Sequence, residues 1–319
     1  MRRCLCTLAV ILAAGAAMAQ DLNLFTLGAG DVAGSYYASA SAICDVVNRE
    51  EAGILRCSPD PTSGSIYNLS ALESGELDFA FAQSDWHRDR YAGEGLYAAA
   101  GPMVDLRSVM SLYGEALTIL VRADSGIAGI ADLKDHRVDL GPPSSGRRGT
   151  VDRVLSAFGF VAADFRSISE LPSGAGLDAL CEGTIDATLL VLGHPNKNVA
   201  RVISDCGAKL LPLTAAQQET LIAASPDMQP TSIPKDSYSG LLADVPTVEV
   251  IATIVTKAST DAAVVEKLVR ATLMNLPLLA RKAPVLAALD PEAMRKVGLS
   301  APLHPGAKAA YDAILGPKP

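Results

Sequence analysis

The feature that most constrains this chain is a recurring unit: an apolar run, a short polar turn, then an amphipathic stretch at helical spacing. It appears first as "LNLFTL", the turn "GAGDVAGS" and "YYASASAICDVVNRE", where Tyr36, Ala40, Ile43, Val46 and Val47 fall on one helix face. It returns as "ILRCSP", "DPTSGS" and "IYNLSALESG", with Ser65 the expected cap and Gly75 the stop. The third copy is "LDFAFAQ", followed by "SDW" and a helix. Strands alternating with helices predict an α/β chain whose parallel sheet is covered on both faces.

The rhythm restarts near Leu117 with "ALTILVRAD". A strand over Arg137 to Leu140, a helix over Gly149 to Phe158, a helix at "LDALCEG", a strand over Ala187 to Val191 and the turn "GHPN" follow. After the Pro-rich stretch "SPDMQPTSIPKDSYSGLLADVPT" come the strand "VEVIATIVT" and terminal helices that include "AAVVEKLVRATLMNL". Two lobes are expected, the first from residues 20–114 and 246–319 and the second from residues 115–245. A chain that crosses twice between lobes makes a hinge.

The compartment follows from "MRRCLCTLAVILAAGAAMAQ", with Arg2 and Arg3, an apolar stretch from Leu5 and an Ala17-Met18-Ala19 ending. Residues 1–19 are expected to be an export signal cleaved after Ala19, because the stretch is shorter than the roughly 20 residues that span a bilayer. The mature chain of about 300 residues suits two compact lobes. Losing Arg2 and Arg3 takes the formal charge from −8 to −10, which argues against a nucleic-acid partner. The mature chain keeps Cys44, Cys57, Cys181 and Cys206. An even count in an oxidising compartment points to disulfides, and the short-loop pairing joins Cys44 to Cys57 and Cys181 to Cys206, each clipping a helix to the following strand. No Cys-x-x-Cys or His-Glu-x-x-His spacing supports a metal, and no cofactor motif stands out beyond the weak Gly28-x-Gly30-x-x-x-Gly34 pattern.

In a parallel α/β sheet the turns lie together at the carboxyl ends of the strands, where ligands bind. Each turn presents free N–H groups and a partial positive charge at a helix start. The first lobe offers Gly34, Ser35 and Tyr36, then Thr62, Ser63, Ser65 and Asn68, then Gln83, Ser84 and Asp85. The second offers Ser144, Ser145, Arg147, Arg148 and Thr150, then His194 and Asn196. Short hydroxyls and amides with one or two cations suit a small anion between two lobes. Taken singly, the Ser, Thr and Asn residues are also ordinary helix caps, and Tyr36, Tyr37 and Trp86 serve equally well as packing. Asp85 would repel an anion, so it is expected to bind a ligand ammonium, orient a neighbour or cap a helix. Catalysis is not expected: there is no Gly-x-Ser-x-Gly elbow, and Ser35, Asp85 and His194 form a triad only on paper.

The runs "GAGDVAGSYYASASAICDVVN", "RCSPDPTSGSIYNLSALESGELDFAFAQSDW", "GPPSSGRRGT", "GTIDATLLVLGHPN", "VPTVEVIATIVT" and "HPGAKAAYDAILG" resemble the TAXI family of TRAP transporter solute-binding proteins, over nearly the whole mature chain. The resemblance implies a type II-like, two-lobe periplasmic binding protein fold with hinged lobes and a ligand cleft between them. It also implies a periplasmic receptor that closes on a small organic anion, such as glutamate or the dicarboxylate 2-oxoglutarate, and delivers it to a TRAP membrane permease. Ser35, Tyr36, Thr62, Ser65, Asn68, Gln83, Ser84, Ser145 and the "GHP" turn would then line the pocket. Where relatives commonly read Gly-Ser-Gly-Thr-Arg, this chain has Ser144-Ser145-Gly146-Arg147-Arg148. Arg147 is therefore expected to hold a second ligand carboxylate. The alternatives on the same scaffold are a ligand sensor facing a membrane receptor and, less in keeping with the residues, an exported enzyme.

Overall fold

The protein is described from a computed structural model that covers residues 23–316, so the expected export signal lies outside the described residues. Ten strands form one sheet: β1 (Asn23–Gly28), β2 (Leu55–Asp60), β3 (Phe79–Gln83), β4 (Leu106–Val121), β5 (Arg137–Asp139), β6 (Ser167–Ser169), β7 (Ala187–Leu192), β8 (Lys209–Leu210), β9 (Gln229–Ile233) and β10 (Val245–Lys257). The helices are α1 (Ser35–Glu50), α2 (Ser65–Ser74), α3 (Ser84–Ala92), α4 (Gly146–Ala157), α5 (Ser173–Glu182), α6 (Lys197–Cys206), α7 (Ala215–Ala224), α8 (Ala262–Leu273), α9 (Leu276–Lys282), α10 (Pro291–Met294) and α11 (Pro305–Leu315). None of them is long and apolar enough to cross a membrane.

The main strand order is β2-β1-β3-β10-β4-β7-β5-β6, with β8 on β4 and β9 on β10. β1 is parallel to β2 and β3, and β5 is parallel to β6 and β7. The expectation of a wholly parallel sheet is corrected at the centre. There β4 and β10 run antiparallel to each other, and also to β7 and β3. A βαβ rhythm reports direction only where a helix carries the chain back over its own sheet. β4 and β10 pair with each other across more than a hundred residues instead. β4 also begins at Leu106, before the apolar run that marked it in sequence, because its early polar residues Ser108 and Ser111 are buried within the sheet.

Two apolar clusters draw on residues 25–112 and 252–311, and two others on residues 116–250. β4 supplies Met110 and Leu112 to one side and Leu117 and Ile119 to the other; β10 does the same with Ile254 and Val250. These two strands therefore join two separately packed halves. β3 and β7 are buried along their whole length, as strands covered on both faces should be.

The local starts differ from the sequence expectation in ways that shape the site. Ser65 does not cap α2 but is its first residue. The cap position is Gly64 at φ 109°, a conformation that favours glycine. α3 begins directly after β3, so Ser84, Asp85 and Trp86 form its first turn. Gly75 ends α2 in the left-handed region, as expected. Both expected disulfides are present, with Cα separations of 4.9 Å for Cys44–Cys57 and 5.3 Å for Cys181–Cys206. The first clips α1 to β2. The second joins α5 to the end of α6, not to a strand.

Candidate functional site

A cavity of about 320 Å³ lies between the two halves. Four helices begin on its wall: α1 at Gly34 and Ser35, α2 at Gly64 and Ser65, α4 at Ser145 and Gly146, and α5 at Pro172 and Ser173. Three of the four start without a capping side chain; only Ser145 caps its own helix, accepting from Arg148 N. The first N–H groups of a helix have no partner within it, so the uncapped starts give the wall a positive potential.

The floor is a connected polar chain. Tyr36 OH donates to Glu115 Oε2 at 2.6 Å and lies 3.5 Å from Ser65 Oγ. Ser65 Oγ in turn accepts from Gln83 N at 3.1 Å. The Gln83 side chain lines the cavity and is only 2% exposed, and neither its Oε1 nor its Nε2 has a hydrogen-bond partner. A buried amide left unpaired costs about 1–3 kcal/mol. Burial, reinforced by Glu115, pushes the Tyr36 hydroxyl well above its ordinary range, so it stays a donor.

Of the residues expected at a ligand site, Gly34, Ser35, Tyr36, Thr62, Ser63, Ser65, Gln83, Ser145 and Arg147 line this cavity. Ser35 Oγ donates to the Gly193 carbonyl of the other half at 2.9 Å. Six others serve the framework. Asn68 Nδ2 donates to the Ala29 and Phe81 carbonyls, stapling α2 to the end of β1 and the middle of β3. Ser84 Oγ accepts from Ile251 N at 3.0 Å, tying α3 to β10. Ser144 Oγ donates to Ser63 Oγ at 3.0 Å. Thr150 Oγ1 donates to Asp85 Oδ2 at 3.1 Å, beside the Arg153 guanidinium at the same distance. Burial pushes Asp85 up to about 6, with Arg153 opposing the shift. His194 sits between Thr118 Oγ1 at 2.9 Å and Tyr238 OH at 2.5 Å. Burial pulls its pKa down to about 3, which leaves it neutral. Ser35, Asp85 and His194 thus bond to three separate sets of partners and form no triad.

Arg147 corrects the expectation placed on it. It reaches the cavity wall, but its guanidinium bonds Asp139 Oδ2 at 2.6 Å, Thr188 Oγ1 at 2.9 Å and the Leu189 carbonyl at 2.6 Å. Asp139 is fully buried, so the arginine charge is consumed within its own half. Arg148 is likewise held, by Asp152 and Glu170.

Sequence reading missed Asp31, Glu115, Pro142, Pro172, Ser173, Val191 and Leu192 on the wall. Asp31 is partly occupied, its Oδ1 accepting from Ala33 N at 2.8 Å. Glu115 had a legible signal: an acid just ahead of the apolar run in "MSLYGEALTILV". A charged residue is rarely buried in such a strand without a reason.

Residues 27–313 match the NMT1-like family, and the chain belongs to it. Two solved structures show a similar fold. MatC from Rhodopseudomonas palustris with bound malate matches at 15% identity over 85% of this chain and 90% of that one, with a TM-score of 0.58. The alkanesulfonate-binding protein SsuA from Xanthomonas axonopodis pv. citri bound to MOPS matches at 17% identity over 91% and 90%, with a TM-score of 0.51. The shared feature is the α/β fold with a mixed sheet.

Proposed function

We propose that this NMT1-like family member is an exported solute-binding protein that captures a small organic anion between two hinged lobes. One observation carries the reading: the sealed, unpartnered Gln83 amide stands in a cavity on whose wall four helices begin. Its volume lies at the small end of the range for small-molecule pockets, about 300–1,000 Å³. Because Arg147 is committed to Asp139, the anion is held by helix N–H groups and neutral donors, not by a side-chain cation.

The two packed halves act as the lobes, one drawing on residues 25–112 with 252–311 and the other on residues 116–250, and β4 and β10 form the hinge. A ligand that bridges them stabilises the closed state through contacts that only that state makes. The narrower reading, a TAXI-type receptor in the periplasm that hands glutamate or a dicarboxylate such as 2-oxoglutarate to a TRAP permease, rests on the sequence motifs. The fold it shares with a malate-bound and a MOPS-bound protein is in keeping with a small acidic ligand.

The test is a thermal-shift screen of the mature protein against organic acids, sulfonates and amino acids. A true ligand at about 100 times its Kd adds about 2.7 kcal/mol of stability. If no small anion shifts the melting temperature, the reading fails.

A further inference from the structure

Glu115 is one of two acids on the cavity wall; the other, Asp31, already accepts from Ala33 N through its Oδ1. It lies on β4, the strand shared by both halves, is 3% exposed and lines the cavity. Tyr36 OH occupies its Oε2, and no group among the described residues bonds its Oε1. The ionisable groups around it are Tyr36 from α1, Tyr113 on its own strand and Asp85 from α3, none of them a cation. On the adjoining strand β10 the neighbouring acid is Glu249, packed over Gly114. Arg147 reaches the same cavity with its charge already on Asp139.

A carboxylate buried without a counter-charge is costly, and in practice such a group keeps its proton. Burial pushes the Glu115 carboxyl well above the ordinary carboxylate range; the Tyr36 hydrogen bond partly offsets this and Asp85 adds to it. Three consequences meet at one spot. Oε2 is fixed by Tyr36, Oε1 remains to carry a proton, and the Gln83 amide stands unpaired on the same wall.

Resting on the reading of the cleft as an anion site, we infer that Glu115 selects the ligand by donating a hydrogen bond from Oε1 to one of its oxygens. The favoured class is then an oxyanion without an ammonium group at this position, an oxo or hydroxy acid in preference to an amino acid. Glu115 thereby turns a would-be repulsion into a charge-assisted hydrogen bond. Its place on the strand that joins the halves puts this contact at the hinge.

The test titrates 2-oxoglutarate and glutamate, which differ only at the α-carbon, into the mature protein by calorimetry between pH 6 and 9. The expected result is 2-oxoglutarate binding more tightly by about tenfold or more, with affinity falling about tenfold per pH unit once Glu115 ionises. Glu115→Ala loses affinity, whereas Glu115→Gln, whose amide still donates, recovers part of it and abolishes the pH dependence. A preference for glutamate, or a Glu115→Gln variant no better than Glu115→Ala, overturns the inference. If neither acid binds, the cleft reading is at fault, and a difference infrared spectrum of wild type against Glu115→Gln still decides the proton. A protonated carboxyl band at pH 7 supports the inference; an ionised carboxylate overturns it.

Discussion

Two groups of buried polar residues lie side by side where the halves meet, and they differ in one respect. In the seam between α3 and α4, the bonding capacity is taken up. Trp86 Nε1 donates to the Gly146 carbonyl at 3.0 Å, and the Arg153 guanidinium lies 4.0 Å from the Trp86 ring centroid. Arg153 reaches Asp85 at 3.1 Å and Asp89 at 2.5 Å. In the cavity beside it, the Gln83 amide and Glu115 Oε1 have no hydrogen-bond partner among the described residues. The same residue types are therefore found in two states: saturated, they tie the framework together; unsaturated, on the proposed reading of the cavity, they are held ready for a ligand. Residue identity does not separate the two states, but hydrogen-bond accounting does.

The largest expected effect tests the saturated side. Arg147→Thr strands Asp139 without a counter-charge and should cost about 3–5 kcal/mol in chemical denaturation. If stability is unchanged, Arg147 is free to serve the ligand and the division collapses. Asp85 should give a smaller, pH-dependent signal. Its folded pKa of about 6 is raised by burial above the ordinary value of 3.8. Its contribution is therefore complete below the unfolded value and is lost as pH rises through about 6. Relative to Asp85→Asn, the wild type should thus lose about 2 kcal/mol between pH 4 and pH 7. A flat difference across that window would show that Asp85 is not sealed in the seam. On the unsaturated side, Gln83→Ala should leave unliganded stability unchanged or raised. It should still weaken anion binding by about 10- to 100-fold in calorimetry, the equivalent of about 1–3 kcal/mol. The opposite pattern, lost stability with intact affinity, would move Gln83 into the framework.

The wall formed by "GAGDVAGSYY" and "DPTSGSIYN" was legible because glycine and small hydroxyls at a helix start expose its N–H groups, and α1, α2 and α4 do open on the cavity. The disulfide pairing was legible from loop length. Strand direction at the centre was not, because β4 and β10 meet across a sequence gap that no local pattern spans. Nor was the fate of Arg147, which depends on Asp139, Thr188 and Leu189 on two other strands. Asp85 and Thr150 read as ligand contacts because each follows a strand, yet they bond each other across the seam. Glu115 was passed over because it sits in a strand and not in a turn, and its reach into the cavity depends on α1 packing Tyr36 above it.

Trp86 offers the most direct test of closure around an anion. It is the chain's single tryptophan, and it lies where α3 of one lobe meets α4 of the other. Gly149 allows that approach: a Cβ there would stand 2.2 Å from the indole ring. Titrating the mature protein with an anion identified by thermal shift, while following Trp86 emission, should give a saturable change with the calorimetric Kd. Gln83→Ala should shift that curve to higher ligand concentration. An anion that binds by calorimetry while Trp86 emission stays constant would contradict closure of the lobes upon it.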